Sequence, residues 1–324
     1  MTTRRAVLVT LGTTLLGLSR EGRAQPAAKV PHIGYLSRAT EQERGAMLTA
    51  LKEGLRDLGY IDGKNIAIDV RWAGSDASTL PELAASLAQA NPSAIIGTCI
   101  PSTRAAKRAT TTIPVVMSVD GDPVEAGLVS SFARPGGNVT GTSTLFDELI
   151  PKWLELLSAA VPKVRHFGFF SYDNPYFSAQ LEGAAQRIGV KTLGIEIHSR
   201  ADLERAFDDM QKQSAGALVV MTNPFTAGHI ERIVALADRY QLPAIYGFRE
   251  FAEAGGLMSY GLSFRDYYKR VARYIDLVLK GAKPADLPVE QASKIELVIN
   301  VATARKLGVI LPARLLARAD RVIE

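Results

Sequence analysis

The chain of 324 residues has one cysteine, four histidines and two tryptophans. A lone thiol, Cys99, excludes an internal disulfide and any cage of cysteine ligands around a metal. Of the histidines, His32, His166 and His198 fall within or beside strand-like runs and His229 near a helix start. No pair of them has the helical spacing of a metal site, and no serine sits in a Gly-x-Ser-x-Gly elbow. The turn after the first strand-like run, GYLSRATEQERG, does not supply the Gly-x-Gly-x-x-Gly of a nucleotide-binding enzyme. Catalysis would have to rest on residues that the sequence does not mark, so no enzyme, metal or cofactor is expected. Clusters of positive charge are also lacking, which leaves nucleic acid without an electrostatic footprint.

What is present is the composition of a globular protein, 47% hydrophobic and 22% charged. The N-terminus stands apart. MTTRRAVLVTLGTTLLGLSREGRAQ carries Arg4 and Arg5, an apolar run from Ala6 to Leu18, and small residues at Gly22 and Ala24. That order is a secretory signal with cleavage near Ala24, and the run is short of the roughly 20 apolar residues of a membrane anchor. Residues 1–24 are therefore expected to be removed, with Sec and twin-arginine export both open. The leader takes four arginines and one glutamate with it, so the formal charge of +5 falls to about +2.

From Pro31 onward strand and helix patterns alternate with short connections. Strand-like runs at 32–37, 65–72, 93–98 and 113–119 are separated by helical patterns at 47–58, 80–90 and 104–109. The same grammar restarts after residue 150, with helices at 151–161, 176–189, 201–213 and 226–241 and strands at 166–171, 191–197, 216–221 and 242–247. Such βα order predicts two parallel sheets, each covered by helices on both faces. Between the two units lies GDPVEAGLVSSFARPGGNVTG, where Pro135, Gly136, Gly137 and Asn138 suit a sharp change of direction. This stretch reads as a hinge and not as a reaction centre.

Three long segments carry a resemblance. DPVEAGLVSSFARPGGNVTG at 122–141, AIYGFREFAEAGGLMSYG at 244–261 and ADLPVEQASKIELVINVATARKLGV at 285–309 resemble extracytoplasmic solute-binding proteins of ABC-type importers. The group includes tryptophan- and aromatic-amino-acid-type binders, and the likeness runs from about Pro31 to the C-terminus. It implies an α/β, type I periplasmic-binding-protein fold, two doubly wound parallel-sheet lobes joined by three crossover segments. Residues 139–143 would be the first crossover, 255–261 the second, and the third would lie in 283–300. The first lobe would hold 30–140 and about 257–282, the second 141–256, with 283–324 left unassigned. Hinge motion is expected at Gly137, Gly141, Gly255, Gly256 and Gly261. The resemblance further implies a periplasmic monomer that captures a small molecule and delivers it to an ABC permease at the membrane. A sensor handing its ligand to a receptor is the alternative.

Ligands of parallel α/β sheets bind beyond the carboxyl ends of the strands. In the first unit this selects Ser37, Thr98, Ser102 and Thr103. The helix start at 101–103 would take a carboxylate, or Ser102 and Thr103 would merely cap that helix. Asp122, with Asp120 as a looser alternative, would meet an ammonium or else close its own turn before Pro123. In the second unit Tyr172, Asn174, Asn223 and Phe225 would close from the opposite side, with Tyr246 and Phe248 as stacking faces or core. The ligand expected is a small carboxylate-bearing molecule, an amino acid or an aromatic or branched acid.

Overall fold

The computed structural model describes residues 30–324 except 75, 145, 172–174, 198, 222 and 293, and at 147, 175, 176 and 224 the backbone alone. The expected leader, residues 1–24, lies outside the described residues. The chain opens with β1 (His32–Ser37), α1 (Glu41–Asp57), β2 (Ala67–Trp72), α2 (Leu80–Gln89), β3 (Ala94–Gly97), α3 (Ile100–Ala109), β4 (Val115–Asp120) and β5 (Val139–Thr144). Helix α1 begins where it does because Thr40 and Glu43 form a reciprocal capping box. Apolar residues alternate along the strands between two separate cores. Tyr35, Ile96 and Val116 face one, and Leu36, Ile95, Val115 and Met117 the other, so helices are needed on both faces of the sheet.

The second lobe runs α4 (Ile150–Ala160), β6 (His166–Ser171), α5 (Pro175–Arg187), β7 (Lys191–Glu196), α6 (Asp202–Lys212), β8 (Ala217–Val220), α7 (Pro224–Gly228), α8 (Ile230–Arg239), β9 (Ala244–Phe248), α9 (Arg249–Glu253) and β10 (Met258–Leu262). The single helix expected over 226–241 is two. Asn223 caps α7 by accepting from the Thr226 N–H, and α7 stops at His229, whose Nδ1 lies 2.8 Å from the Phe225 carbonyl. Helix α10 (Phe264–Leu279) returns to pack on α1. Strands β11 (Glu290–Gln291), β12 (Glu296–Asn300) and β13 (Arg321–Ile323), with α11 (Val301–Lys306) and α12 (Ala313–Leu316), complete the chain.

Strand order is β11-β5-β4-β3-β1-β2 in a six-stranded sheet and β13-β12-β10-β9-β8-β6-β7 in a seven-stranded one. All pairs are parallel except β10 with β12. That exception follows from the path. Strand β10 leaves its sheet toward the first lobe, and β12 re-enters from the first lobe, so they run in opposite directions. The chain thus passes between lobes three times, after β5, between β10 and α10, and between β11 and β12. This is the type I architecture, two doubly wound lobes with three crossings.

The boundaries differ from those expected. Residues 139–143 are a full strand of the first sheet, and the crossing comes after Thr144. Residues 258–262 pair with β9 and β12 in the second sheet, so the second crossing falls at Ser263. The terminal segment divides, β11 joining the first sheet and β12 and β13 the second.

None of the expected hinge glycines stands at a crossing. A Cβ on Gly141 would lie 2.2 Å from the Met117 carbonyl oxygen, and one on Gly261 would lie 1.7 Å from that of Gly247. Both are glycine because a neighbouring strand passes too close for a side chain. Gly255 and Gly256 end α9, and Gly137 is in an exposed loop before β5. There Asn138 fixes the chain, its amide donating to the carbonyls of Thr110 and Ile113.

Candidate functional site

One core runs through both lobes, from Ile33, Leu51 and Tyr268 on one side to Phe170, Phe225 and Phe251 on the other. The lobes are drawn together, with α1 against α7. Between them lies a cleft with about 340 Å³ of empty space, counted to where it meets solvent.

The first lobe brings Arg44 and Met47 from α1, Thr98 after β3, Ser118 and Asp120 from β4, and Thr144 from β5. Arg44 is 5% exposed and stands on the same helical stripe as Met47, Leu48, Leu51 and Leu55. Its Nη1 donates to the Tyr268 hydroxyl at 3.1 Å, while Nε has no hydrogen-bond partner among the described residues. No carboxylate of the described residues lies within ion-pair distance of it. Burial disfavours its charge, yet Tyr268, Tyr35, Cys99 and Asp120 together hold the guanidinium above its ordinary pKa. Asp120 opens to the cleft while protein rings it. Desolvation raises its pKa, and the Thr144 hydroxyl, 2.7 Å away, and Arg44 pull it partly back.

The second lobe supplies Asn223 and Phe248. The Asn223 Oδ1 is committed to the α7 cap, which leaves its buried Nδ2 without a partner among the described residues. The crossings contribute the apolar wall. Phe248 is edge-on to Phe146 beyond the first crossing (5.8 Å, 90°) and to Phe264 beyond the second (5.8 Å, 78°). Leu262, Tyr267 and Tyr268 complete the lining. The Tyr267 hydroxyl is turned to the backbone of Thr142, and burial followed by Asp120 raises its pKa.

Of the residues selected by sequence, Thr98, Asn223 and Phe248 line the cleft, as does Asp120, the alternative to Asp122. Ser102 and Thr103 do not. Both are fully buried, with Ser102 Oγ donating to the Cys99 carbonyl and accepting from its N–H, and Thr103 Oγ1 donating to the Gly97 carbonyl. Their hydroxyls cap and pack α3, the plainer of the two roles open to them. Ser37 is buried and accepts from the Ala39 N–H. Asp122 closes its own turn, accepting from the Val124 and Glu125 N–H groups. Phe225 packs on the His229 ring at 4.4 Å, and Tyr246 stacks on Phe251 at 4.5 Å, both as core. Burial alone raises the Tyr246 pKa. Tyr172 and Asn174 lie outside the described residues.

Sequence reasoning passed over Arg44, and a signal for it was available. A charged residue on the buried stripe of an amphipathic helix demands a partner. Phe146, Phe264, Tyr267 and Tyr268 carried no such signal, because only the crossings bring them to the cleft.

A tyrosine-binding protein of Clostridioides difficile (strain R20291) is 26% identical over 294 residues, 89% of this chain and 84% of that protein. A Streptococcus pneumonia ABC domain solved in complex with L-Trp is 26% identical and has a TM-score of 0.73, covering 90% of this chain and 99% of that one. A ligand-free, open substrate-binding protein from Clostridium difficile, also 26% identical, has a TM-score of 0.59, covering 91% and 99%. Across residues 41–323 the chain matches the model of the ABC transporter substrate binding protein family, and it belongs to that family.

Proposed function

We propose that the protein is the extracytoplasmic binding component of an ABC importer, and that its ligand is an α-amino acid with an aromatic or branched apolar side chain. One observation carries the ligand class. A buried guanidinium without a carboxylate partner shares a cleft with Asp120. A buried charge without a partner is costly, and a zwitterion supplies both missing partners at once. In this reading Arg44 and the Asn223 amide bind the carboxylate. Asp120, steadied by Thr144, takes the ammonium. The side chain then lies against Phe146, Phe248 and Phe264, where a ring extends their edge-to-face arrangement.

The relatives named as binding tyrosine and L-Trp support the same class. The N-terminal signal pattern supports export, and delivery to a membrane permease is the role proposed for the loaded form. Calorimetry on the mature protein tests the reading. L-tryptophan, L-tyrosine, L-phenylalanine and L-leucine are compared with their carboxamides and N-acetyl derivatives. Binding by the free amino acids and loss with either derivative is expected. Equal binding of the derivatives, or binding of neutral sugars alone, would overturn it.

A further inference from the structure

Gly228 ends α7, with its backbone outside the left-handed region, so an alanine would suit its dihedral angles. Glycine in a helix is disfavoured against alanine, because it loses more backbone freedom on folding. Something else must account for it. A Cβ placed there would lie 2.8 Å from the Gln42 carbonyl oxygen, 2.9 Å from that of Glu43 and 3.0 Å from the Glu43 Cα. All three are backbone atoms, which cannot swing aside. They form the first turn of α1, in the opposite lobe, one residue before Arg44. The clash therefore exists only when the lobes have come together.

Helix α7 spans this junction in five residues. Its cap, Asn223, lines the cleft, while its last residue rests on the turn that carries Arg44. The distance between Gly228 and α1 thus sets how nearly the Asn223 amide and the Arg44 guanidinium can share one ligand. We infer that Gly228 is a positioning residue for capture: its missing side chain lets the second lobe dock on α1, and any side chain there holds the cleft ajar. This rests on the amino-acid reading only for the choice of probe.

The test compares wild type, Gly228→Ala and Gly228→Val, with Gly183→Ala as a control in α5, where among the described residues only the Arg187 side chain is within 4 Å. Without ligand, Gly228→Ala is expected to melt at or above the wild-type temperature, as is the control. With L-tryptophan or L-tyrosine, Gly228→Ala is expected to bind about tenfold more weakly and Gly228→Val more weakly still, since affinity falls with the closed fraction. The control keeps wild-type affinity. Scattering with saturating ligand is expected to show Gly228→Val more extended than wild type. A melting temperature several degrees lower for ligand-free Gly228→Ala would mean that Gly228 packs within its own lobe. That result, or unchanged affinity, overturns the inference. If wild type binds neither amino acid, the amino-acid reading fails, and the comparison is made with whichever small acid or sugar raises the wild-type melting temperature.

Discussion

Arg44 of α1 donates to the hydroxyl of Tyr268 on α10, 3.1 Å away, and that phenol is the only hydrogen-bond partner of the guanidinium among the described residues. A neutral oxygen orients the charge without neutralising it. Arg44→Met is therefore expected to weaken amino-acid binding by about 2–5 kcal/mol, the range for truncating one member of a buried charge pair. The ligand-free variant should melt near the wild-type temperature, because the guanidinium's burial penalty and its attraction to Asp120 are lost together. Tyr268→Phe should cost about 1 kcal/mol of affinity by loosening the guanidinium. Titration calorimetry with scanning calorimetry measures both.

The double variant Ser102→Ala with Thr103→Ala makes the contrast. Both hydroxyls serve the backbone of α3 and the strand before it. The expected loss is about 1–3 kcal/mol of folding stability with amino-acid affinity near that of wild type. Urea unfolding and calorimetry on one preparation separate the two effects. A large loss of affinity at full stability would return the carboxylate to the start of α3.

Asp120 makes binding depend on pH. Its carboxyl is held above the ordinary 3.8, chiefly by desolvation. The folded ligand-free chain thus holds that proton more tightly than the unfolded chain. The stability it contributes is fully present below 3.8 and is lost as pH rises through the raised value. A ligand ammonium favours the ionised form, so affinity should rise with pH over the same interval. Asp120→Asn should bind weakly and lose that rise. Affinities measured at a series of pH values from the ordinary carboxylate range upward would show it. A wild-type affinity flat across it removes Asp120 from the site.

Glu250 ties the lobes at the second crossing. It belongs to α9, yet it accepts from the Ser263 hydroxyl at 2.7 Å and from the Arg265 N–H at 3.3 Å, at the start of α10. Desolvation raises its pKa, offset by these bonds. Glu250→Ala leaves the Arg265 N–H of a buried helix start without this acceptor, although the Ser263 cap on Asp266 remains, and is expected to cost about 1–3 kcal/mol, with Glu250→Gln milder because it keeps an acceptor. Denaturant midpoints read the difference.

Gly141→Ala and Gly261→Ala should be among the most damaging single changes in the chain. Each Cβ would meet a strand carbonyl at 2.2 Å and 1.7 Å respectively. Gly141 also has a φ of +132°. A loss of about 3 kcal/mol or more is expected, seen as a lower melting temperature or as insoluble protein. Gly137→Ala, with nothing within 4 Å among the described residues, should be near neutral.

The local order of elements is legible in the sequence because it depends on neighbours along the chain. The apolar period of α1 reports the burial of one face, and the short apolar runs of β1 and β4 report burial on both. So do the two successive βα units and their parallel sheets. Helix starts were legible too, though their hydroxyls were open to more than one use, and at Ser102 and Thr103 the backbone took them. What the tertiary structure alone decided is the content of the cleft. Phe146, Phe248 and Phe264 are far apart in sequence and meet because two crossings converge there. Likewise Arg44 and Asn223 face one space only when α7 docks on α1, through a gap as wide as an absent methyl group. Periodicity reports which side of an element is buried. It carries no record of which other element arrives to bury it, and in this protein that arrival makes the site.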